Sequence, residues 1–145
     1  MKYELTTNTK ITESGVKLYQ IRALKDFGIV KAGDLGGYVQ NENNLSQDGD
    51  AWVSNEACVS SKARVYGKAR VFGKAQVSGN AWIFDQARVY GEACVSGKAG
   101  VYGSARVYDN AHVYDNAGVY GRAHVYGEAH VSGDAWVSSD ARISE

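Results

Sequence analysis

From Ala51 onward the apolar and polar positions of this chain alternate in a frame of six. Alanine stands at every sixth position from Ala51 to Ala141, and two residues after each comes Val or Ile, from Val53 to Ile143. Residues two apart in an extended chain share a face, so each Ala-x-Val triplet predicts a very short strand with both side chains turned inward. The residues beside them are predicted to face solvent: Trp, Arg, Cys, Gln, His or Gly after Ala, and Tyr, Phe or Ser after Val. The fifth place of each unit must turn a corner. It is Gly at nine sites and Asn55, Asp85, Asp109 or Asp115 at four more, residue types that accept positive φ at low cost. An unbroken short period means one coil stacked on the next, each unit burying its face only against its neighbours. Small Ala alternating with larger Val suits a narrow triangular tube. Sixteen such units at three per coil make a little over five coils, or about 25 Å of axis at the spacing of adjacent strands.

The start of the chain lacks this frame. Residues 1–35 read as a β cap: Lys2–Thr7 and Val16–Leu24 are rich in β-formers and flank Ser14-Gly15, which predicts a hairpin. Asp34-Leu35-Gly36-Gly37-Tyr38-Val39 is a turn leading into an extended piece. Val39, Leu45 and Ala51 already keep the spacing of six, but Gln47 stands where a core Val belongs. Residues 36–50 are therefore expected to form a degenerate entry coil, and 51–145 the regular solenoid. The first segment is expected to pack on the open end, as repeat proteins require.

The run from Ala51 resembles the six-residue repeat of left-handed parallel β-helix proteins, in which an aliphatic residue recurs every six with a small residue two before it. The resemblance implies an all-β, left-handed parallel β-helix with three strands per coil. It departs from the acyltransferase version, in which a small residue often directly follows the aliphatic one. Here Tyr or Ser does, and Gly comes second. The stretch Asp26-Phe27, Val30-Lys31-Ala32-Gly33, Gly36-Gly37-Tyr38-Val39, Asn44-Leu45-Ser46-Gln47 and Gly49-Asp50-Ala51-Trp52-Val53 resembles the entry segment of the YdcK-like β-helix proteins. That group is bacterial and phage-associated and carries a transferase label. The phage association implies, by analogy, an inhibitor of a host defence system of the anti-CRISPR kind.

Charge narrows the partners. Lys+Arg and Asp+Glu each number 16 in 145 residues, so the formal net charge is zero, which disfavours a general nucleic-acid binder and an acidic DNA mimic alike. No apolar run approaches membrane-spanning length and the first residues carry no signal-peptide pattern, so the expected compartment is the cytoplasm. Cys58 and Cys94 lie two coils apart in an eighteen-residue coil, roughly 9–10 Å at the strand spacing, too far for a disulfide, which needs less than about 7 Å. Proline is absent, as suits a backbone that is nearly all paired.

An eighteen-residue coil stacks residues eighteen apart into columns. Face one carries Trp52, Arg70, Arg88, Arg106, His124 and Arg142, beside Phe72, Tyr90, Tyr108 and Tyr126. Face two carries Cys58, Gln76, Cys94, His112 and His130, beside Ser60, Ser78, Ser96, Tyr114 and Ser132. Face three carries Arg64, Trp82, Gly100, Gly118 and Trp136, beside Tyr66, Phe84, Tyr102 and Tyr120. Stacked rings stiffen the rod, at about 0.5–1.5 kcal/mol per pair beyond burial. Two stripes of four aromatics are also more than a monomer usually leaves in water, which points to an interface. Stacked arginines repel one another unless anions or the flanking rings intervene. Arg88 and Arg106 with Tyr90, Tyr108 and Tyr126 are therefore the expected partner-binding strip. Gly100 and Gly118 leave a bare floor two coils long between Trp82 and Trp136, a slot for self-association or a ligand. Between Lys62 and Arg106 there are eight bases and two acids, and from Val107 to Glu145 two bases and six acids. Such a gradient favours antiparallel side-by-side pairing of two copies.

Catalysis finds little in the chain. Acyltransferases of the resembled fold are mostly trimers that use a general-base His beside a loop that breaks the coils. The frame from Ala51 has no insertion, and Asp109 and Asp115 are not aimed at His112, His124 or His130, so no orienting partner stands beside a base. A γ-type carbonic anhydrase binds zinc through three converging histidines, and stacked His112 and His130 point in parallel. Ice binding would want rows of Thr, and the repeat has none. The chain stops mid-repeat at Glu145, so the last coil reads as an open edge that invites pairing, while the cap blocks endless head-to-tail growth of the bactofilin kind. The expectation is a non-catalytic protein-binding rod without cofactor or metal, assembled as a homodimer in preference to a trimer. The second reading is a degenerate acyl-CoA-dependent acyltransferase.

Overall fold

The computed structural model describes residues 1–145, and its helical content is one 3₁₀ turn at Glu42–Asn44. No helix is long and apolar enough to cross a membrane. Strand β1 (Tyr3–Ile11) and strand β2 (Lys17–Ala23) form the expected antiparallel hairpin, turning through Gly15 at φ 90°. β1 continues past Thr7 because the register shifts between Leu5 and Thr9 and pairing then resumes at Thr9↔Tyr19. Strand β3 (Leu35–Val39) pairs antiparallel with β2 and parallel with the first strand of face two, Tyr38↔Cys58. The cap thus continues one wall of the tube as well as closing its end.

Sixteen two-residue strands follow, from Trp52–Val53 to Arg142–Ile143, one every six residues. They assemble into three parallel sheets, one per face, and each strand pairs with the strand eighteen residues away. Arg88 pairs with Arg106 on face one, Cys94 with His112 on face two and Gly100 with Gly118 on face three. This is the expected all-β parallel solenoid with three strands per coil. Cys58 and Cys94 both pair with Gln76 from opposite sides, two coils apart, and both are free thiols.

The inward column of each face is dry. Ala and Val from Ala51 to Val125 are at most 1% exposed and belong to one continuous buried cluster. Outside the strands the backbone closes with the same bookkeeping in each unit. Cys58, Ser60 and Lys62 donate their N–H groups to Ala75, Val77 and Gly79 one coil on, and Ala57 N–H turns back to Ser54. The corner N–H has no backbone acceptor. Where Asp85, Asp109 and Asp115 occupy the corner, the carboxylate accepts from the N–H of Gly103, Gly127 and Gly133 on the next coil, at 3.0–3.1 Å.

All fifteen corners from Asn55 to Ser139 have φ between 57° and 70°. Two of them, Ser61 and Ser139, are residue types that the sequence did not mark as left-handed. A serine there carries the strain that Gly avoids, on the order of 1 kcal/mol. Gly97 shows why glycine dominates: a Cβ added there would lie 2.7 Å from the backbone nitrogen of Asp115.

The entry coil works differently. Gln47, in the place of a core Val, points its amide at the cap. Its Oε1 accepts from the N–H of Lys2 at 2.7 Å and of Tyr3 at 3.2 Å, and its Nε2 donates to the Tyr3 carbonyl. Asn44, fully buried, accepts from Gln40 and Asn41 and donates to the carbonyls of Ser61 and Ala63. Side-chain amides thus supplement a thinned ladder, in which Gln40, Ser46 and Asp50 still donate to Val59, Val65 and Gly67. Lys2 is 1% exposed, and its ammonium donates to the Ala51 carbonyl at 2.8 Å and lies 4.8 Å from the Phe27 ring centre. Burial pushes its pKa down to about 8, against the pull of Asp50 and Asp48. Gly36 and Gly37 are required by close approach, since a Cβ would lie 2.5 Å from the Val53 carbonyl or 2.7 Å from that of Ala57.

One outward position corrects the sequence reading. Trp52 stands in the face-one column, in register with Arg70, yet it is only 7% exposed. Tyr3 and Phe27 of the cap meet its indole edge-on, at 6.4 and 5.3 Å between ring centres. The apolar indole is buried because the cap folds over it.

Candidate functional site

Face one presents two parallel columns on a flat, six-stranded sheet. Trp52, Arg70, Arg88, Arg106, His124 and Arg142 follow in register. Phe72, Tyr90, Tyr108 and Tyr126 stack beside them, with ring centres 4.8, 5.0 and 5.3 Å apart and planes within 9° of parallel. The ring faces are spent on each other, so the rings are half-buried and present edges outward. None of the four arginines lies over an aromatic ring, and none has a carboxylate within 4.0 Å; the three ion pairs of the molecule, Arg22–Glu4, Lys31–Asp26 and Arg122–Asp140, all lie elsewhere. Neither kind of relief considered from the sequence is supplied within the chain.

His124 interrupts this column. Its Nδ1 lies 3.4 Å from the Tyr108 hydroxyl. Burial, followed by the charges of Arg142 and Arg106, holds its pKa below the ordinary histidine value. Burial and the neighbouring Tyr90 and Tyr126 push the Tyr108 phenol up. At neutral pH the column's charge is therefore carried by the arginines.

The recurrence that builds these columns matches a known repeat. The family model of the YdcK β-solenoid repeat matches residues 63–79 and 105–121. In those two stretches the chain carries β-solenoid repeats similar to the YdcK repeat. No curated protein matches it. The two matched stretches of the YdcK repeat begin at Ala63 and Ala105, and the second includes Arg106 and Tyr108.

Face three holds the other candidate group. Tyr66, Phe84, Tyr102 and Tyr120 stack at 4.9–5.1 Å, and Trp82 and Trp136 meet the ends of that stack edge-on. The bare floor is one coil long, not two. Trp136 lies over Gly118, whose added Cβ would come within 2.9 Å of the indole, and Gly118 is buried. Gly100 keeps open space above it, with the nearest side-chain atom of Tyr102 at 3.7 Å. Trp82 and Trp136 are 51% and 63% exposed. On face two, His112 and His130 stack at 4.8 Å within 3° of parallel, and neither hydrogen-bonds a carboxylate.

The sequence reading missed the junction of cap and solenoid. There Arg70, Trp52 and Phe72 meet Ile29, Val30 and Asp50 around a cleft of about 190 Å³. Arg70 and Phe72 were visible as column members, but the Ile29–Val30 loop that faces them is forty or more residues away in the chain.

Proposed function

We propose that this solenoid is a non-catalytic recognition module that binds an acidic protein surface along face one, through Arg88 and Arg106 with Tyr90, Tyr108 and Tyr126. The observation that carries the reading is the row of arginines, stacked in register without an acid or a ring face to compensate them. Like charges at strand spacing repel, and a partner's carboxylates would relieve that repulsion while the rigid sheet costs little ordering entropy. Single-stranded nucleic acid is a poorer fit, because bases need free aromatic faces and these faces are occupied.

Self-association belongs to the same proposal on a different face. The exposed indoles of Trp82 and Trp136 around Gly100 and Gly118 suit a second copy, and Trp136→Ser should convert a dimer to a monomer in light scattering. Acyl transfer draws less support: the stacked histidines of face two lack an orienting carboxylate, which a general base uses.

The test is capture of the partner with the solenoid as bait. Arg88→Glu with Arg106→Glu should abolish capture while circular dichroism and melting stay as in wild type. Capture by the parent should fall steeply with salt and strengthen as pH drops through the histidine range, since an anionic partner would draw a proton onto His124. If the double variant retains the same proteins, face one is not the binding surface.

A further inference from the structure

The cleft where the cap meets face one joins apolar walls to a charged side chain. Its floor is Trp52, the most covered indole of the chain. Phe72 forms one wall, and Val30 and Ile29, from the cap loop closed by the Phe27–Val30 bridge, form the other. Ile29 stands at the mouth, 72% exposed. The volume of about 190 Å³ is small. Drug-sized pockets run to about 300 Å³ and more, whereas an apolar cavity of about 150 Å³ holds a benzene ring. One ring with a short substituent is the size that fits.

Two charged residues also line the cleft, and they are not equivalent. Asp50 lies within the field of the buried Lys2 ammonium, which is seated on the carbonyls of Ala51 and Gly49 directly beside it. Arg70 is half-buried and has no acid within 4.0 Å. Its next neighbour in the column, Arg88, only adds to the positive potential. Arg70 is thus the one cation lining the cleft, without an ion pair and set against apolar walls.

We infer that this cleft is a binding site for a small single-ring carboxylate. The ring packs between Phe72, Val30 and the edge of Trp52, and the carboxylate accepts from the Arg70 guanidinium. A guanidinium fork matches a carboxylate bidentately, and partial burial strengthens the pair. The site is separate from the proposed protein-binding strip, because Arg88 and Arg106 take no part in it.

The test is a titration of phenylacetate followed by the indole N–H resonances of Trp52, Trp82 and Trp136 in the ¹⁵N-labelled full chain. Trp52 should shift saturably in the millimolar range while Trp82 and Trp136 stay still. Benzyl alcohol, and phenylacetate against Arg70→Gln, should each bind about tenfold more weakly, the loss of one charge-assisted contact. Should Arg70→Gln fail to fold, Ile29→Asp at the exposed mouth serves instead, repelling the carboxylate without touching the core. Arg88→Glu with Arg106→Glu should retain most of the binding, which separates this site from face one. An unmoved Trp52 at tens of millimolar, equal binding of the alcohol, or tighter binding of benzylamine would each overturn the inference.

Discussion

The entry coil and the repeat coils solve one problem, the pairing of every buried backbone group, in opposite ways. From Ala51 onward the ladder is made by main chain, three N–H donations to the next coil in each unit, and side chains outside the core are free to vary. Before Ala51 main-chain donations from Tyr38, Gln40, Ser46 and Asp50 persist, and three amides take over the rest of that work. Asn44 bridges Gln40 and Asn41 to Ser61 and Ala63, Gln47 pairs with Lys2 and Tyr3, and Gln40 Oε1 accepts from Ser61 at 2.6 Å. The repeat is therefore redundant, and the entry coil rests on single residues. Damage in the first spreads by distortion, and damage in the second by an orphaned buried polar group.

The largest effect should come from breaking a corner of the repeat. Gly97→Val combines a left-handed φ of 65° with a Cβ pressed 2.7 Å from the next coil's nitrogen. A loss of about 3 kcal/mol or more is expected, read as a fall in the urea midpoint with lost amide protection on both neighbouring coils. Asn44→Leu should cost about 2–4 kcal/mol, since it leaves buried carbonyls and N–H groups unpaired. Its signature is local: amide exchange should speed up in residues 1–65 and leave the coils beyond Arg106 protected. Uniform loss across the chain would contradict the contrast drawn between the two regions.

A smaller effect follows from pH. Lys2 has a folded pKa of about 8 against 10.5 for an ordinary lysine, so between these values the unfolded chain holds more protons. Stability should rise with pH from about 8 and fall again above 10, where the buried Tyr3 phenol, whose pKa is raised, resists ionisation. Lys2→Met should remove the rising limb in melts taken across that range. The smallest change is Ser61→Gly, a corner serine at φ 57°. It should add about 0.5 kcal/mol, the left-handed strain less the entropy of Gly.

Much of this was legible in the order of residues. The spacing of Val39, Leu45 and Ala51 marked the entry coil, and the exception at Gln47 was visible, but its role was not. The groups it pairs with are the N–H groups of Lys2 and Tyr3, more than forty residues away, and no local pattern relates them. The columns of face one could be written down because the coil length is constant. That Trp52 would be buried within its column could not, because Tyr3 and Phe27, which cover it, come from the cap. The slot on face three was shortened by the rotamer of Trp136, which settles onto Gly118 for the apolar contact that Gly leaves open.

A period of six with Ala and Val two apart was by itself enough to determine the solenoid, its three faces and which residues stack, because a strict repeat lets local geometry propagate unchanged. What only the tertiary structure decided is how the stacked groups spend their surfaces. Aromatic faces went to one another and left the arginines unrelieved, and the cap folded back to bury Trp52 and form the cleft beside Arg70. Those outcomes depend on side-chain orientation and on contacts between distant segments, quantities that a periodic pattern does not carry.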